Sequence, residues 1–432
     1  MLHQVALVFV AIWDQAVFIF GYIWWLIAAM ILMPLFVSSW LFWRRDTYKH
    51  RLRYVTLEIK IPREIKRSIK AMEQVFTAIH NLKNLAGDFQ ELYVDGEITR
   101  PYHLELVSFG GDIHFYIRAY FKQKNLVEAA FGSFYTDVEL VEVDDYLDRI
   151  PSSIKELYGQ NYDMYGAEVV LARPPMYPIR SYMEFESPAE EKEYDPISVF
   201  IEVLSKVKKE EFFGYQIIIT PKVHWSLEYN QEADKLKESK IKVDPNVPIP
   251  QFRFRSPGEE DTLKAVENNL SKPCFETTVR LLYLSPRNLF YDSFARRAVT
   301  STFNQYGSHS LNSFKINYNT ATLAKVWHFP YVFPKIRNNY RKARLLYNYR
   351  HREFMPHEFM GKLITSTFWN WNDKSPHHLQ MYLSTESLAT IFHPPTVYVL
   401  TAPHVERLES RKAGPPAGLA IFGEEEDIQK FE

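Results

Sequence analysis

Between Lys335 and Arg352 the chain carries Lys335, Arg337, Arg341, Lys342, Arg344, Arg350 and Arg352, interleaved with Tyr340, Tyr347 and Tyr349. Cations in such density neutralise phosphates, and the rings between them offer stacking surfaces for bases. A helix gathers Arg337, Arg341 and Arg344 on one face, since residues three and four apart are neighbours there. The same pattern equally suits a surface helix salt-bridged to acidic segments elsewhere. Contacts of this kind hold a nucleic-acid backbone and read no sequence.

Other chemistries leave no pattern. The Gly361-Lys362 pair is followed by Leu363 and preceded, five positions before Gly361, by Pro356. A phosphate-binding loop needs glycine there and a Ser/Thr hydroxyl after the lysine for magnesium. There is no His-Glu-x-x-His and no Gly-x-Ser-x-Gly. His377, His378 and His393 have no carboxylate or cysteine at metal-ligand spacing and read as loop or packing residues. Cys274 is the one cysteine, which excludes an internal disulfide and a multi-cysteine zinc site and fits a reducing compartment. Glu424 to Asp427 form an acidic run that reads as a solvated tail. The expectation is a non-enzymatic chain with no cofactor.

What must position the basic segment begins with the first residues. From Ala16 to Trp43 no side chain is charged, and Arg44, Arg45, Lys49, Arg51 and Arg53 follow at once. About 20 apolar residues at 1.5 Å each cross a ~30 Å hydrocarbon layer. Trp13, Tyr22, Trp40 and Trp43 lie toward the ends of the run, where amphipathic rings favour the headgroup layer; Trp24 and Trp25 lie nearer its middle. Pro34 is a candidate kink, and Asp14 marks the outer end. Basic flanks stay in the cytoplasm, so the reading is a single-pass anchor about 16–43 in the cytoplasmic membrane, N-terminus out, body in. A cleaved signal peptide is the competing reading, but the basic n-region is missing and the apolar core is too long.

The body has near-balanced charge, so nucleic-acid or lipid contacts must be local. It is rich in aromatics and poor in glycine, as packed domains are. Tyr54–Ile61 alternates as a strand and stops at Pro62. Ile65, Ile69, Met72, Phe76, Ile79 and Leu82 mark one face of a helix whose first turns carry Arg63, Lys66, Arg67 and Lys70, either a solvated face or a contact with anionic lipid. His103–Phe109 and Asp112–Tyr120 read as a hairpin closed by Gly110-Gly111. A helix from Lys122 to about Phe134 (Leu126, Val127, Ala130, Phe131, Phe134) and a strand Asp137–Val143 complete a β-α-β-β-α-β order, the ferredoxin-like split βαβ pattern.

A second α+β module spans 160–230. It has expected strands at Ala167–Arg173, Ile179–Glu186 and Tyr215–Thr220, and a helix capped by Asp195 with Pro196 at its first position. Residues 231–256 read as a linker, charged at first and then stiffened by Pro245, Pro248 and Pro250. A third module, 257–400, opens with the Ser256-x-x-Glu259 capping box. It continues with a strand Phe275–Leu284, a helix Asp292–Asn304 (Phe294, Val299, Phe303) and the basic helix 335–352. Residues 401–432 form a Gly/Pro-rich, acidic tail, and residue identity reveals no internal repeat.

Several local strings resemble one family: Thr56–Arg63 (TLEIKIPR), Glu105–Ser108 (ELVS), Glu259–Ala265 (EEDTLKA), Lys272–Glu276 (KPCFE), Leu383–Pro395 (LSTESLATIFHPP) and Glu409–Leu419 (ESRKAGPPAGL). The chain resembles the membrane-anchored, non-ATPase N-terminal region of bacterial type IV secretion and conjugation ATPases of the coupling-protein or HerA-like kind. The likeness covers most of residues 50–425. It implies a scaffold in DNA or protein transfer that holds a hexamer-forming P-loop motor at the membrane. In that family the motor domain follows the Gly-Pro-Pro segment, whereas this sequence runs to Glu432 without it. The motor is then a separate polypeptide, or the chain is part of a longer one. The implied partners are the bilayer and the ATPase, with DNA and further copies of the chain left open.

Overall fold

The computed structural model describes residues 2–62, 67–185, 195–237, 241–242, 251–252, 256–290, 292–318, 320–323, 333–354, 381–396 and 407–408. Helix α1 (Leu2–Arg51) runs unbroken through Pro34. Its part Phe20–Arg51 is long and apolar enough to cross a membrane, and none of the apolar stretch is buried in the protein.

The first unit follows: β1 (Tyr54–Pro62), α2 (Lys70–Asn81), β2 (Tyr102–Phe109), β3 (Asp112–Tyr120), α3 (Lys124–Phe134) and β4 (Glu139–Val143). β1 pairs antiparallel with both β3 and β4, and β2 pairs with β3, giving the order β4-β1-β3-β2. Gly110 and Gly111 take φ of 62° and 102°, the positive values that the hairpin demands.

The second unit holds α4 (Ile154–Gly159), β5 (Tyr162–Leu171), α5 (Tyr182–Phe185), α6 (Ser198–Ser205), β6 (Phe212–Lys222) and α7 (Trp225–Lys237). It continues through the small pair β7 (Ile241–Lys242) and β8 (Gln251–Phe252), α8 (Pro257–Ser271), β9 (Cys274–Pro286), α9 (Asp292–Asn304) and β10 (Phe314–Ile316). Here β9 lies between β5 and β6, and β10 lies outside β5, all antiparallel. The strand order is β10-β5-β9-β6, that of the first unit again, with β5, β6, β9 and β10 in the places of β1, β2, β3 and β4. The units join edge to edge where β2 pairs antiparallel with β6, from Tyr102 opposite Ile219 to Phe109 opposite Phe212. One sheet therefore runs through both, and strand β9 of the expected third module sits between strands of the expected second.

The chain ends its described course with α10 (Pro334–Arg350), β11 (Met381–Ser384), which extends the sheet beside Cys274–Thr277, α11 (Thr385–Ile391) and β12 (Arg407–Leu408), parallel to β1 at Ile61–Pro62. The whole is a mixed α+β architecture on a sheet antiparallel except at β12. One face is apolar: Leu57, Leu104, Leu106, Ile117, Ile217, Ile219, Val279 and Leu281 are buried under α2, α3, α6, α9 and α11. Each such side chain contributes about 1.5–3 kcal/mol. The opposite face is covered by α4, α10 and the turn Tyr146–Arg149.

Some expectations shift. No strand occupies Ile179–Phe185; Ile179, Tyr182 and Phe185 are buried at a spacing of three, and the last two belong to α5. That period suits a helical turn and not an alternating strand. Glu186 lies outside the described residues. Helix α6 starts at Ser198, later than Pro196, while Asp195 accepts the Ile197 N–H. The beginning of the expected linker is α7, whose buried Trp225 and Ala233 and packing on α8 override the charged composition. Leu126, expected in the core, is 51% exposed. The capping box at Ser256 and helix Asp292–Asn304 stand where expected. Ile65 and the flanking Arg63 and Lys66 lie outside the described residues, as do His377, His378, Gly361, Lys362, the acidic run and most of 401–432.

Candidate functional site

A row of polar side chains crosses the α10-covered face. The strand registers place Glu168 opposite Arg280, Arg280 opposite Gln216, Gln216 opposite Glu105, Glu105 opposite Tyr116, and Tyr116 opposite Glu58. All are at most 7% exposed. Buried charges persist only when paired. Arg280 Nε donates to Glu168 Oε1 at 2.8 Å, Gln216 Nε2 to Glu105 Oε1 at 2.7 Å, and His114 Nδ1 lies 2.7 Å from Glu58 Oε1.

This row is the seat of the basic helix. Arg280 Nη1 donates to the Asn348 carbonyl at 3.2 Å and Gln216 Nε2 to the Tyr349 carbonyl at 3.2 Å, satisfying last-turn acceptors that a helix leaves open. Leu345 packs over Gly166, and the Tyr349 hydroxyl over Gly214; a methyl group at either glycine would overlap them. The Tyr349 hydroxyl also meets that of Tyr146 at 2.9 Å. Beyond the helix, Arg352 takes φ +51° and turns into the sheet. Its guanidinium binds Glu105 by two bonds (2.7 and 2.8 Å) and Asp145 by two more (2.7 and 2.9 Å). Burial would depress the Arg352 pKa, but the two carboxylates outweigh it and hold the group charged. Burial alone would raise Asp145; the Arg352 bonds and charge hold its carboxyl below the ordinary range. Arg118, stacked 4.5 Å over the Tyr54 ring, is pushed down to about 10 by burial and by the neighbouring Arg352 charge. Burial, with Arg118 and Arg352 close by, keeps His103 neutral, and its Nδ1 has no hydrogen-bond partner among the described residues.

The residues singled out in sequence divide accordingly. Arg341 donates to the Tyr318 and Ala321 carbonyls at 3.1 and 3.2 Å, Lys342 pairs with Asp163, and Arg350 caps the carbonyls of Leu147 and Ile150. With Arg352 these are tied into the protein. Lys335 is exposed, while Arg337 and Arg344 are half-buried, Arg344 lying over the Tyr347 ring.

The basic end of α1 meets the body on the same side. Trp40 Nε1 donates to the Tyr93 carbonyl at 2.7 Å, Arg44 to the Val94 carbonyl, Tyr48 to Glu97 at 2.8 Å, and Lys49 pairs with Glu353 at 3.3 Å. Arg51 and Arg53 remain exposed. Between the last turns of α1 and the sheet lies a cleft of about 850 Å³. Arg45, Lys49, Arg118 and Arg352 line it together with Asp46, Glu97, Asp145 and Glu353, so both signs face one space. No group of side chains fit to hold a metal occurs among the described residues.

The family-like strings are structural where described. Lys272 bridges Glu73 (2.9 Å) and Glu386, joining KPCFE to the turn before LATIF. α11 is buried throughout, and His393, read as a packing residue, is fully buried with its Nε2 2.8 Å from Asp195 Oδ1. Asp195 also accepts from Thr396 N at 2.8 Å. Burial would raise Asp195, yet His393 and Thr396 hold it below the ordinary range.

Sequence reasoning missed Glu105, Gln216, Arg280, Asp145 and the Trp40 and Tyr48 contacts. A signal existed: Gln216 interrupts the apolar run Phe212–Ile219 and Arg280 the run Val279–Leu284, which marks buried and partnered groups. No protein-family model and no curated protein matches the chain. Its site rests on its own geometry.

Proposed function

We propose that the chain is a non-catalytic, single-pass membrane docking module of a transfer system like those of type IV secretion and conjugation. It holds a separately encoded P-loop motor ATPase at the cytoplasmic face, with the N-terminus outside. The observation that carries this reading is the junction of α1 with the body: a helix able to span a membrane is bonded to the body through Trp40, Arg44, Tyr48 and Lys49. Such a joint presents the body to the cytoplasm in one attitude, and confinement raises the local concentration of anything docked on it. Arg44, Arg45, Lys49, Arg51 and Arg53 at the inner end favour that polarity. We also assign the first unit to the ferredoxin-like split βαβ class, supported by its order β4-β1-β3-β2. The motor is inferred from the sequence resemblance. Affinity purification from native membranes tests it: a P-loop ATPase co-purifies with the full chain and leaves the membrane fraction when the anchor is cleaved off. An eluate without any such ATPase, from membranes where the chain is abundant, sinks the proposal.

A second reading, nucleic-acid contact through α10, draws on Lys335, Arg337 and Arg344 beside exposed Tyr340 and Tyr347. It requires steeply salt-dependent binding that Lys335→Glu with Arg344→Glu weakens on every sequence alike. Salt-independent binding, or none, removes it.

A further inference from the structure

After α2 the chain makes a π-helical turn, Gln90–Asp95, that touches α1 and little else. Trp40 is bonded to the Tyr93 carbonyl, Arg44 to that of Val94, and Tyr48 to Glu97. The segment therefore climbs alongside α1, each residue fixed to a known level of the helix. At 1.5 Å per residue, Trp40 to Arg44 covers about 6 Å, one turn. That turn is where the uncharged run stops and the basic flank starts. Gly96, at φ +68°, allows the approach, since a methyl group there would meet the backbone of Arg44 at 2.6 Å.

What the segment offers at that level is apolar and uncovered. Phe89 is 74% exposed, Leu85 48% and Val94 45%. The Phe89 ring stacks on Tyr93 with centroids 4.7 Å apart, which holds it beside the level of Trp40. On α1 itself Trp40 and Trp43 are exposed, with the Arg44 guanidinium 5.5 Å from the Trp43 ring. Exposed aromatic and aliphatic side chains, continuous with a span and beside the Arg44 guanidinium at its end, match the headgroup layer of a bilayer; the segment's own charges are Asp88, Glu91 and Asp95.

We propose that Leu85–Val94 is a second membrane contact: a foot whose Leu85, Phe89 and Val94 lie in the lipid interface beside α1, so that the body rests on the bilayer at two points. The occupant is lipid, because the patch is tied to the helix at the depth where lipid ends. This rests on the reading of α1 as a membrane span, and the test separates the two.

Single cysteines replace Phe89, Trp43, Met33 and Glu260 in the full chain, each labelled with a polarity-sensitive maleimide dye. Native Cys274 stays silent, since it is buried and burial pushes its thiol well up. The labelled proteins are reconstituted in phosphatidylcholine–phosphatidylglycerol vesicles carrying lipids spin-labelled near the headgroup or deep in the chain. The expected result is that the shallow quencher acts on position 89 about as strongly as on 43, and roughly threefold more than on 260, with the deep quencher acting on 33. Quenching at 89 no greater than at 260, with 33 still quenched, overturns the foot and leaves the span. Loss of deep quenching at 33 overturns both.

Discussion

The two faces of the sheet are built from the same strands yet held by opposite means. On one, Leu104, Leu106, Ile217, Ile219 and Val279 are closed over by helices, and any apolar residue of the right volume would serve. On the other, Glu168, Arg280, Gln216 and Glu105 accept a single arrangement, because α10 and Arg352 must arrive with matching charges and carbonyls. The first face supplies bulk stability. The second specifies where one helix goes, the role for which buried polar groups are best attested.

Removing one charge from the polar face is expected to cost most. Arg352→Ala leaves Glu105 and Asp145 without their guanidinium and should lower unfolding free energy by about 3–5 kcal/mol in chemical denaturation of the detergent-solubilised chain. Arg352→Met with Glu105→Gln should recover a large part of it; a double variant as unstable as the sum of the singles would erase the distinction between the faces. On the apolar face Ile217→Ala, at a fully buried position, should cost roughly 2–5 kcal/mol through the cavity alone. That loss should be the same at low and high salt; a salt-dependent loss would show that the apolar face is coupled to charge.

Gly214→Ala probes the fit of α10 and should cost about 1–3 kcal/mol by overpacking. The neighbours in the way are the Tyr349 hydroxyl and ring and Phe212 Cζ, the last 2.7 Å from an added methyl, so adding Tyr349→Phe should return part of the loss. No relief would place the obstruction at the two rings and not at the hydroxyl. The smallest effect concerns acid. Asp145 is held below its ordinary 3.8, so its contribution is present above that value and is lost as pH falls through the lower, folded one. Denaturant midpoints at pH 5 and pH 3 should therefore converge in Asp145→Asn relative to the parent. Equal acid sensitivity would show that this carboxylate is not perturbed.

Legibility in the sequence followed locality. The hairpin at Gly110-Gly111, the capping box at Ser256 and the strands around Tyr54 and Ile217 declare themselves within a few residues. The side of β2 that carries His103, Glu105 and Val107 is covered by residues more than 200 positions away in the chain, and no local pattern announces a cover from that distance. For the same reason the basic helix could not be divided in sequence into Arg341, Lys342, Arg350 and Arg352, which are tied down, and Lys335, which is exposed. The repeated strand order was hidden because it lives in pairing, and the second unit interrupts it with α7 and α8. Ile179–Phe185 failed because a buried turn and a short strand carry equally apolar residues.

Strand β12 gives the molecule a standoff. It attaches at Ile61–Pro62, seven residues along β1 from Tyr54, where the polypeptide comes from α1; at 3.3 Å per residue that is about 23 Å of strand. Arg407–Leu408 thus meets the sheet at the opposite end of β1 from α1, and the length of that strand separates the two attachments.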